Sequence, residues 1–560
     1  MDGIPLGTIP LADQPNVNVT LPRSKLFGWL LVFILAAFVL LATADNRGFE
    51  RGHHGWVSAH ALAIAAHATP DAGWLGYSVQ SKSDDGETTL HYFDRYPVWT
   101  SAIFGAVLAS HPAFSEQIQR TRLVMNLFFV ATLALAVLLL HRLFGNLTLA
   151  IAASLLAMSG YYAMFYRDMV HFDQPAVLGI LLCLLAILRY EQTGRLLGPA
   201  LLLFVAASSG RSYAVAPTIA AWCLYHLILS ARTHGLARGL YRWMRNPPML
   251  FGLYVFALLC AYLVHNTAHE AARRDVTISE TSIVKSAARR IGTNARFASE
   301  RQVPLTWQLH AETQLHRVTT ALVPYPALGS VELRDAIPYY VKRLGVLVHT
   351  LILLACITLI VAAARRLGRA QRVVFVLMAL SGWLWLIPMK NLAIPHEYTS
   401  LYQLGFLLAA IAGLLRLLPV LGQRIALGIS VYVFVAGIVG SNDTHVQRSQ
   451  EARQVTADFE AIASYLLHGD NVHVAKPYDL VVDNAPDIVP GAPYAVAYYL
   501  SGQYLVPKEL ASYIVSRDSQ RARETSCLEA LTPTNVLVYL YRVIPDCQGN
   551  PAADVRKAQP

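Results

Sequence analysis

Acid, imidazole and guanidinium groups gather in a few short stretches of the 560-residue chain, each beside a long apolar run. The first opens at Asp45 and runs through Glu50-Arg51-Gly52-His53-His54-Gly55-Trp56; the second is Tyr166-Arg167-Asp168-Met169-Val170-His171-Phe172-Asp173-Gln174-Pro175. Arg211 follows Ser208-Ser209-Gly210, and a fourth short connection carries Lys390, His396 and Glu397. A carboxylate held within hydrogen-bond reach of a hydroxyl can take its proton, and fixed cations stabilise a phosphate leaving group as its charge grows. Glu50, Asp173 and Asp45 are therefore the candidate catalytic acids. Arg211, His53, His54, Arg167, Asp168, His171, Lys390 and His396 are candidates for binding substrate.

Each group also has a plainer reading. The first stretch can simply cap and solvate a helix over Trp56 to Ala68, and Asp173 can serve as the N-cap of the helix that starts at Pro175, contributing about 1 kcal/mol. A carboxylate beside a bilayer is nevertheless costly unless it is paired or functional. Arg211 and Lys390 can snorkel to the interface instead of clamping an anion. The acid and histidine cluster admits a divalent metal ion, but no ligand spacing such as His-x-x-x-His with a nearby acid supports one, and no metal is expected.

What must position these groups is a membrane domain. The chain is 55% hydrophobic and 14% charged, against roughly 25% charged in a soluble domain. Runs of eighteen or more apolar residues match a hydrocarbon core of roughly 30 Å. About eleven spans follow from that length criterion, near 26–43, 123–140, 146–164, 174–190, 196–208, 213–230, 248–265, 342–363, 373–389, 400–418 and 425–440. Val98 to Ser110 is apolar but short, which suits a re-entrant or interfacial helix.

Arg142, Arg189, Arg195, Arg232, Arg238, Arg242, Arg245, Arg365, Arg366, Arg369, Arg372, Arg416 and Arg424 fall in one set of loops, with Arg23 and Lys25 before the first span. The bias of basic residues toward cytoplasmic loops makes that set the inner one. The formal charge of +10 is thus topological, and no nucleic-acid partner is implied. Residues 1–25 form a cytoplasmic tail rather than a cleaved signal, and residues 26–440 the transmembrane domain, with external loops at 44–122 and 266–340. In the second loop, Ile278 to Arg301 has the spacing of a basic helix at the surface of the membrane lipids. Residues 441–560 turn polar and predict a small external α/β domain, with helices over Ala457 to Leu467 and Tyr494 to Leu500 and strands over Val472 to Ala475 and Asn535 to Tyr541. Cys527 and Cys547 in that tail are positioned in sequence to close a disulfide in an oxidising compartment. The apolar-helix cysteines Cys183, Cys223, Cys260 and Cys356 read as small buried hydrophobes.

With these elements in place the chain resembles the glycosyltransferase C (GT-C) superfamily, in particular the bacterial branch related to protein O-mannosyltransferases and the lipid A aminoarabinose transferase. The residues that carry the resemblance are Asp45 to Ala68, Tyr96-Pro97, Arg120-Thr121-Arg122-Leu123, Phe172-Asp173-Gln174-Pro175-Ala176-Val177-Leu178 and Ser209-Gly210-Arg211-Ser212-Tyr213-Ala214-Val215-Ala216-Pro217, with a weaker match over Tyr398 to Leu418. One departure is that the Asp-Glu pair common in the first loop is absent, with Glu50-Arg51-Gly52-His53-His54 near its place. The resemblance implies an all-α polytopic membrane domain of the GT-C type with the external α/β domain, in a bacterial inner membrane. It further implies transfer of a sugar from a polyprenyl-phosphate donor to a glycan, lipid or protein acceptor at the external face. Glu50 or Asp45 would then deprotonate the acceptor, Asp173 orient either the acceptor or the first-loop basic groups, and Arg211, with Lys390, bind the phosphate. The competing classes are a multi-pass transporter or flippase, which would place ionisable groups near mid-span, and a polymerase or ligase built on the 266–340 loop.

The orientation is testable by labelling. In a chain whose native cysteines are replaced, cysteines at Ser282 and Thr233 are expected to react with a membrane-impermeant maleimide from opposite sides of the membrane. Reaction of both from one side would overturn the topology.

Overall fold

The computed structural model describes residues 23–43, 48–49, 53–82, 88–92, 97–111, 113–271, 277–278, 306–468, 479–482, 498–499, 504–505, 513–516, 528–531, 536 and 538–543. Asp45, Glu50, the His53 side chain, Val472 to Ala475, Cys527 and Cys547 lie outside what is described, as does nearly all of the expected helix after Ile278.

The chain begins with α1 (Arg23–Leu41), α2 (His53–Ala66), the hairpin β1 (Tyr77–Lys82) and β2 (Thr88–Tyr92), α3 (Trp99–Ala109) and α4 (Phe114–Phe144). Then come α5 (Leu147–Met158), α6 (Tyr161–Phe165), α7 (Asp173–Thr193), α8 (Leu197–Ser208), α9 (Ala216–His234), α10 (Leu236–Met244), α11 (Pro247–Ala271) and β3 (Thr277–Ile278). The second half holds α12 (Trp307–Leu322), α13 (Val331–Lys342), α14 (Gly345–Arg365), α15 (Arg369–Leu386), the single turn α16 (Lys390–Ala393), a 3-10 segment Glu397–Gln403, α17 (Leu404–Leu417), α18 (Val420–Arg448) and α19 (Gln450–His468). Strands β4 (Asp479–Val482), β5 (Tyr504–Leu505), β6 (Tyr513–Ser516), β7 (Leu528–Ala530) and β8 (Tyr539–Val543) follow.

Each segment drawn as a span from the sequence falls on helix, and the protein is a multi-pass membrane protein. Among the described residues six helical segments are long and apolar enough to cross a bilayer: Phe114–Phe144, Asp173–Thr193, Pro247–His269, Gly345–Arg365, Glu397–Leu417 and Val420–Arg448. Leu26–Leu41, Trp99–Ala109, Leu147–Met158 and Leu197–Ser208 are apolar but shorter. Burial separates the centre from the rim, since the core window of Glu397–Leu417 is 72% buried and that of Gly345–Arg365 only 22%. Leu347, Leu351 and Leu354 accordingly stand exposed on α14, the disposition of side chains that meet lipid.

At the centre lies α5, whose Ala150, Ala152 and Ala153 are fully buried and let α4, α17 and α18 approach closely. Asn146 starts this helix by accepting from the Leu149 N–H at 3.1 Å and donates to Gln423 at 2.7 Å, which ties the start of α5 to the start of α18.

Outside the bundle the strands form one sheet in the order β3-β2-β1-β5-β4-β6-β8-β7. The first-loop hairpin pairs antiparallel within itself and parallel to β5, so the tail and the first loop share a ladder. The tail strands β6, β7 and β8 pair antiparallel, and β8 covers the end of the strand expected over Asn535 to Tyr541. Ile278 ends strand β3, where a helix was expected to begin. Helix α19 contains the expected Ala457 to Leu467 helix, and Tyr498 and Tyr499 are helical within the other. Tyr498 and Tyr499 pack on Phe49 with ring centroids at 5.6 and 5.5 Å, Tyr498 donates to Gln117 at 2.6 Å, and Glu460 accepts from the Ser115 N–H at 3.0 Å. These contacts dock the tail on the start of α4.

Close helix packing leaves no room at Gly382 in α15, where a Cβ would fall on the Tyr402 carbonyl. Overpacking of this kind costs about 1–3 kcal/mol, so Gly382→Ala is expected to lower the unfolding midpoint in detergent, as read by tryptophan fluorescence. An unchanged midpoint would show that the 3-10 segment yields without cost.

Candidate functional site

Two buried carboxylates, set by the sequence a single short loop apart, organise the polar end of the bundle. Asp168 lies in the loop between α6 and α7 and is 1% exposed. His54 Nε2, from the start of α2, is 3.1 Å from Asp168 Oδ1, and His445 Nε2, from the end of α18, is 3.4 Å from the same oxygen. Arg122 of α4 approaches Asp168 Oδ2 at 3.6 Å and donates to the Gly48 carbonyl at 3.0 Å. Burial pushes the Asp168 carboxyl up, but His445, the hydrogen bond from His54 and Arg122 outweigh it and hold the group well below the ordinary carboxylate range.

Asp173 is the first residue of α7 and is fully buried. Its Oδ1 accepts from Tyr402 at 2.6 Å and pairs with Arg211 at 3.1 Å, while His171 reaches its Oδ2. Arg211 also lies 3.1 Å from His171 Nε2. The left-handed Gly210, at φ +48°, turns the chain so that the Arg211 N–H meets the Phe172 carbonyl at 3.0 Å. The side chain of Asp173 accepts no capping bond from its own helix, so it is bound to tertiary partners instead of acting as an N-cap. The expected clamp Arg211 and the expected acid Asp173 thus face each other.

Aromatic rings join the two clusters. The Arg211 guanidinium lies 5.7 Å from the centre of the Tyr398 ring, His171 packs edge-on to the same ring at 5.0 Å, and Tyr166 touches Tyr398 on one side and His54 on the other, at 6.4 Å each. Burial pushes the Tyr166 phenol well above its usual range, so it stays a hydrogen-bond donor, and Glu397 accepts from it at 3.5 Å. Arg167 donates to Asn442, which in turn donates to the Ala42 carbonyl. Lys390 is buried with its ammonium 5.2 Å from the Trp307 ring centre, and His396 stacks with Tyr398 at 5.3 Å.

Beside these clusters opens a cavity of about 660 Å³. His54, Tyr161, Tyr162, Phe165 and Tyr166 form one wall; helices α12, α13 and α14 form the other, with Glu312, His316, Arg317, Asp335, Lys342 and His349, and Glu397 and Arg448 complete the rim. Arg317 is 3% exposed and donates to the carbonyls of Ala393, Ile394 and His396, holding the connection that carries Glu397. Arg448 pairs with Asp335 at 3.1 Å. Burial lowers the His316 imidazole below its ordinary value, against a raising bond to the Pro338 carbonyl. Asp168, Asp173, Arg211, Lys390 and His396 are not among the lining residues; they stand behind His54, Tyr166 and Glu397.

All of this lies at one end of the bundle. Helix α4 runs from Arg122 at the site to Phe144, which packs under Arg416, whose guanidinium also reaches the Arg366 carbonyl. Helix α18 runs from Gln423, bonded to Asn146, up to His445 and Arg448 at the site. The arginine-rich loops and the polar clusters therefore occupy opposite ends.

Sequence reasoning passed over several site residues. His445 and Arg448 lay beyond the drawn end of the last span, and the acids at Glu312 and Asp335 sat in a long loop without a pattern. Arg122 stands in the sequence only within the Arg120-Thr121-Arg122-Leu123 stretch of the resemblance. The usable signal lies in Gly440, Ser441, Thr444 and His445, whose spacing continues one helical face past the apolar run.

Fold and site together define a polytopic membrane protein with two buried acid–histidine–arginine clusters at the end of the bundle away from its arginine-rich loops. No protein-family model matches the chain, and no curated protein sequence matches it. Among solved structures the chain is similar to ArnT from Cupriavidus metallidurans bound to undecaprenyl phosphate, with a TM-score of 0.54 at 11% identity, covering 93% of this chain and 99% of that one. The apo state of the same protein gives a TM-score of 0.50 at 11% identity, over 92% and 98% of the two chains. An oligosaccharyltransferase from Archaeoglobus fulgidus matches at a TM-score of 0.45 and 10% identity, over 88% of this chain and 68% of that one. The likeness at this identity is one of fold, and it agrees with the fold that the sequence resemblance implied.

Removing one member of a buried ion pair leaves the other charge uncompensated, at a cost of about 3–5 kcal/mol. Asp173→Asn and Arg211→Met are each expected to destabilise by roughly that amount, and the double variant by clearly less than their sum. Additive losses in detergent unfolding would show that the two side chains do not act as a pair.

Proposed function

We propose that the chain is an integral membrane glycosyltransferase that moves a sugar from a polyprenyl-phosphate-linked donor to an acceptor hydroxyl, with inversion. The face opposite the arginine-rich loops is the extracytoplasmic side of a bacterial inner membrane, by the bias of basic residues toward the cytoplasm. The observation that carries this reading is the 660 Å³ cavity, in which cations and carboxylates meet where the spans α14 and α18 end. A donor with a lipid tail and a phosphate needs that combination: apolar helices for the tail, fixed cations for the phosphate and a carboxylate for the acceptor. The bound undecaprenyl phosphate of the ArnT neighbour agrees with such a donor.

In the reaction the acceptor oxygen attacks the anomeric carbon from the face away from the phosphate. The bond from that carbon to the phosphate oxygen breaks, the acceptor proton passes to a carboxylate, and polyprenyl phosphate leaves. Lys342 and Arg448 supply positive charge for the departing phosphate, and this charge matters most in a water-poor pocket. Glu50 or Asp45 is the base. Support comes from their neighbours: Phe49 is buried under the tail, the Gly48 carbonyl is held by Arg122, and His54 lines the cavity, so both ends of the segment with Glu50 are fixed at the site. Asp173, Arg211 and His171 position the Tyr398 and Tyr402 segment that leads into α17. A transporter would need its ionisable groups midway along the spans, whereas these stand at one end.

The test joins binding to product. Undecaprenyl phosphate is expected to bind the purified protein, and Lys342→Ala with Arg448→Ala to weaken it roughly tenfold, about 1.4 kcal/mol. In cells, Glu50→Gln is expected to abolish one sugar addition to the envelope glycans seen by mass spectrometry, and Asp173→Asn to diminish it. Unchanged glycans in both variants would remove the catalytic assignment, and unchanged binding would remove the phosphate site.

A further inference from the structure

The geometry points to a divalent transition-metal site formed by His54, Asp168 and His445, with zinc as the best-fitting ion. Three segments distant in sequence meet there: the start of α2, the loop before α7 and the end of α18. All three side chains are buried, at 1%, 1% and 0% exposure. One nitrogen of each imidazole and one carboxylate oxygen lie within 4.8 Å of one another.

Two histidines and one carboxylate form a recurring zinc donor set, with a further coordination position left open. Zinc bonds of about 2.0–2.1 Å arranged as a tetrahedron place neighbouring donors roughly 3.3–3.4 Å apart. The approaches of His54 and His445 to Asp168 Oδ1, 3.1 and 3.4 Å, bracket that edge. The third edge, between the two imidazole nitrogens, stays within 4.8 Å, with the ring centroids 5.0 Å apart. Arg122 binds the other carboxylate oxygen and fixes its orientation, the role of an outer-shell partner. Its positive charge also weakens metal binding, so the site belongs with exchangeable metals and not with closed structural zinc. Of the three ligands, His54 also lines the cavity.

Metal content tests this without recourse to transferase activity, so the outcome is independent of the proposed reaction. The full chain in detergent is stripped with a chelator, loaded with excess zinc, desalted and measured by inductively coupled plasma mass spectrometry. About one zinc per chain is expected, with a drop of roughly fivefold or more in Asp168→Asn and in His445→Gln, in keeping with loss of a ligand. His171→Gln, in the neighbouring cluster, is expected to keep its zinc. Should the ligand variants fail to fold, cobalt loading of the unaltered protein gives a second readout: visible d-d absorption that prior zinc loading abolishes. Absence of zinc from the loaded protein, retention by Asp168→Asn, or a featureless cobalt spectrum would each overturn the site.

Discussion

Two carboxylates buried at the ends of transmembrane helices are the constraint on which the rest of this structure depends. An ionised group without partners in such a place would cost several kcal/mol, so helices must bring counter-charges to it. Asp168 gathers α2, α4 and α18 through His54, Arg122 and His445, and Asp173 gathers the Gly210-Arg211 turn and the Tyr402 segment. Satisfying these charges therefore also fixes which helix ends are neighbours. Apolar packing alone would hold the bundle together but would leave rotation and depth of each helix weakly determined, since lipid tails are as apolar as leucine.

The same arrangement divides labour between a charged foundation and a working cavity. Asp173, Arg211, His171 and Lys390 are spent on one another and on aromatic rings, behind the wall that His54, Tyr166 and Glu397 present. Lys342 and Arg448 stand at the cavity itself. A layer of mutually paired buried charges thus backs the cavity wall and fixes its geometry. Arg317 shows the economy of the design: one guanidinium binds three carbonyls of the connection, at Ala393, Ile394 and His396, and so holds the Glu397 segment at the rim.

Much of the membrane scaffold was legible in the sequence because bilayer thickness translates directly into run length, and the bias of arginine gives the two faces. Asp168, His171, Asp173 and Arg211 stood out because charges beside apolar runs are rare and demand explanation. What was not legible was pairing. Asp173 reads as an N-cap from local sequence, yet its Oδ1 binds Tyr402 and Arg211, which come from distant parts of the chain. Tail strands were visible as alternation, but that they share a sheet with the first-loop hairpin depends on a ladder across more than four hundred residues of chain.

The sequence by itself determined that the chain is polytopic, that clusters of acids and histidines stand beside its apolar runs, and that its pattern resembles GT-C enzymes. Each of these is a property of one dimension: length, composition and order. Only the tertiary structure decided that His445 from the last span joins His54 and Asp168, and that Arg211 answers Asp173. It alone decided, too, that helices from the second loop close the cavity. Such choices follow from electrostatic satisfaction among groups far apart in the chain, and no local window of sequence contains both partners.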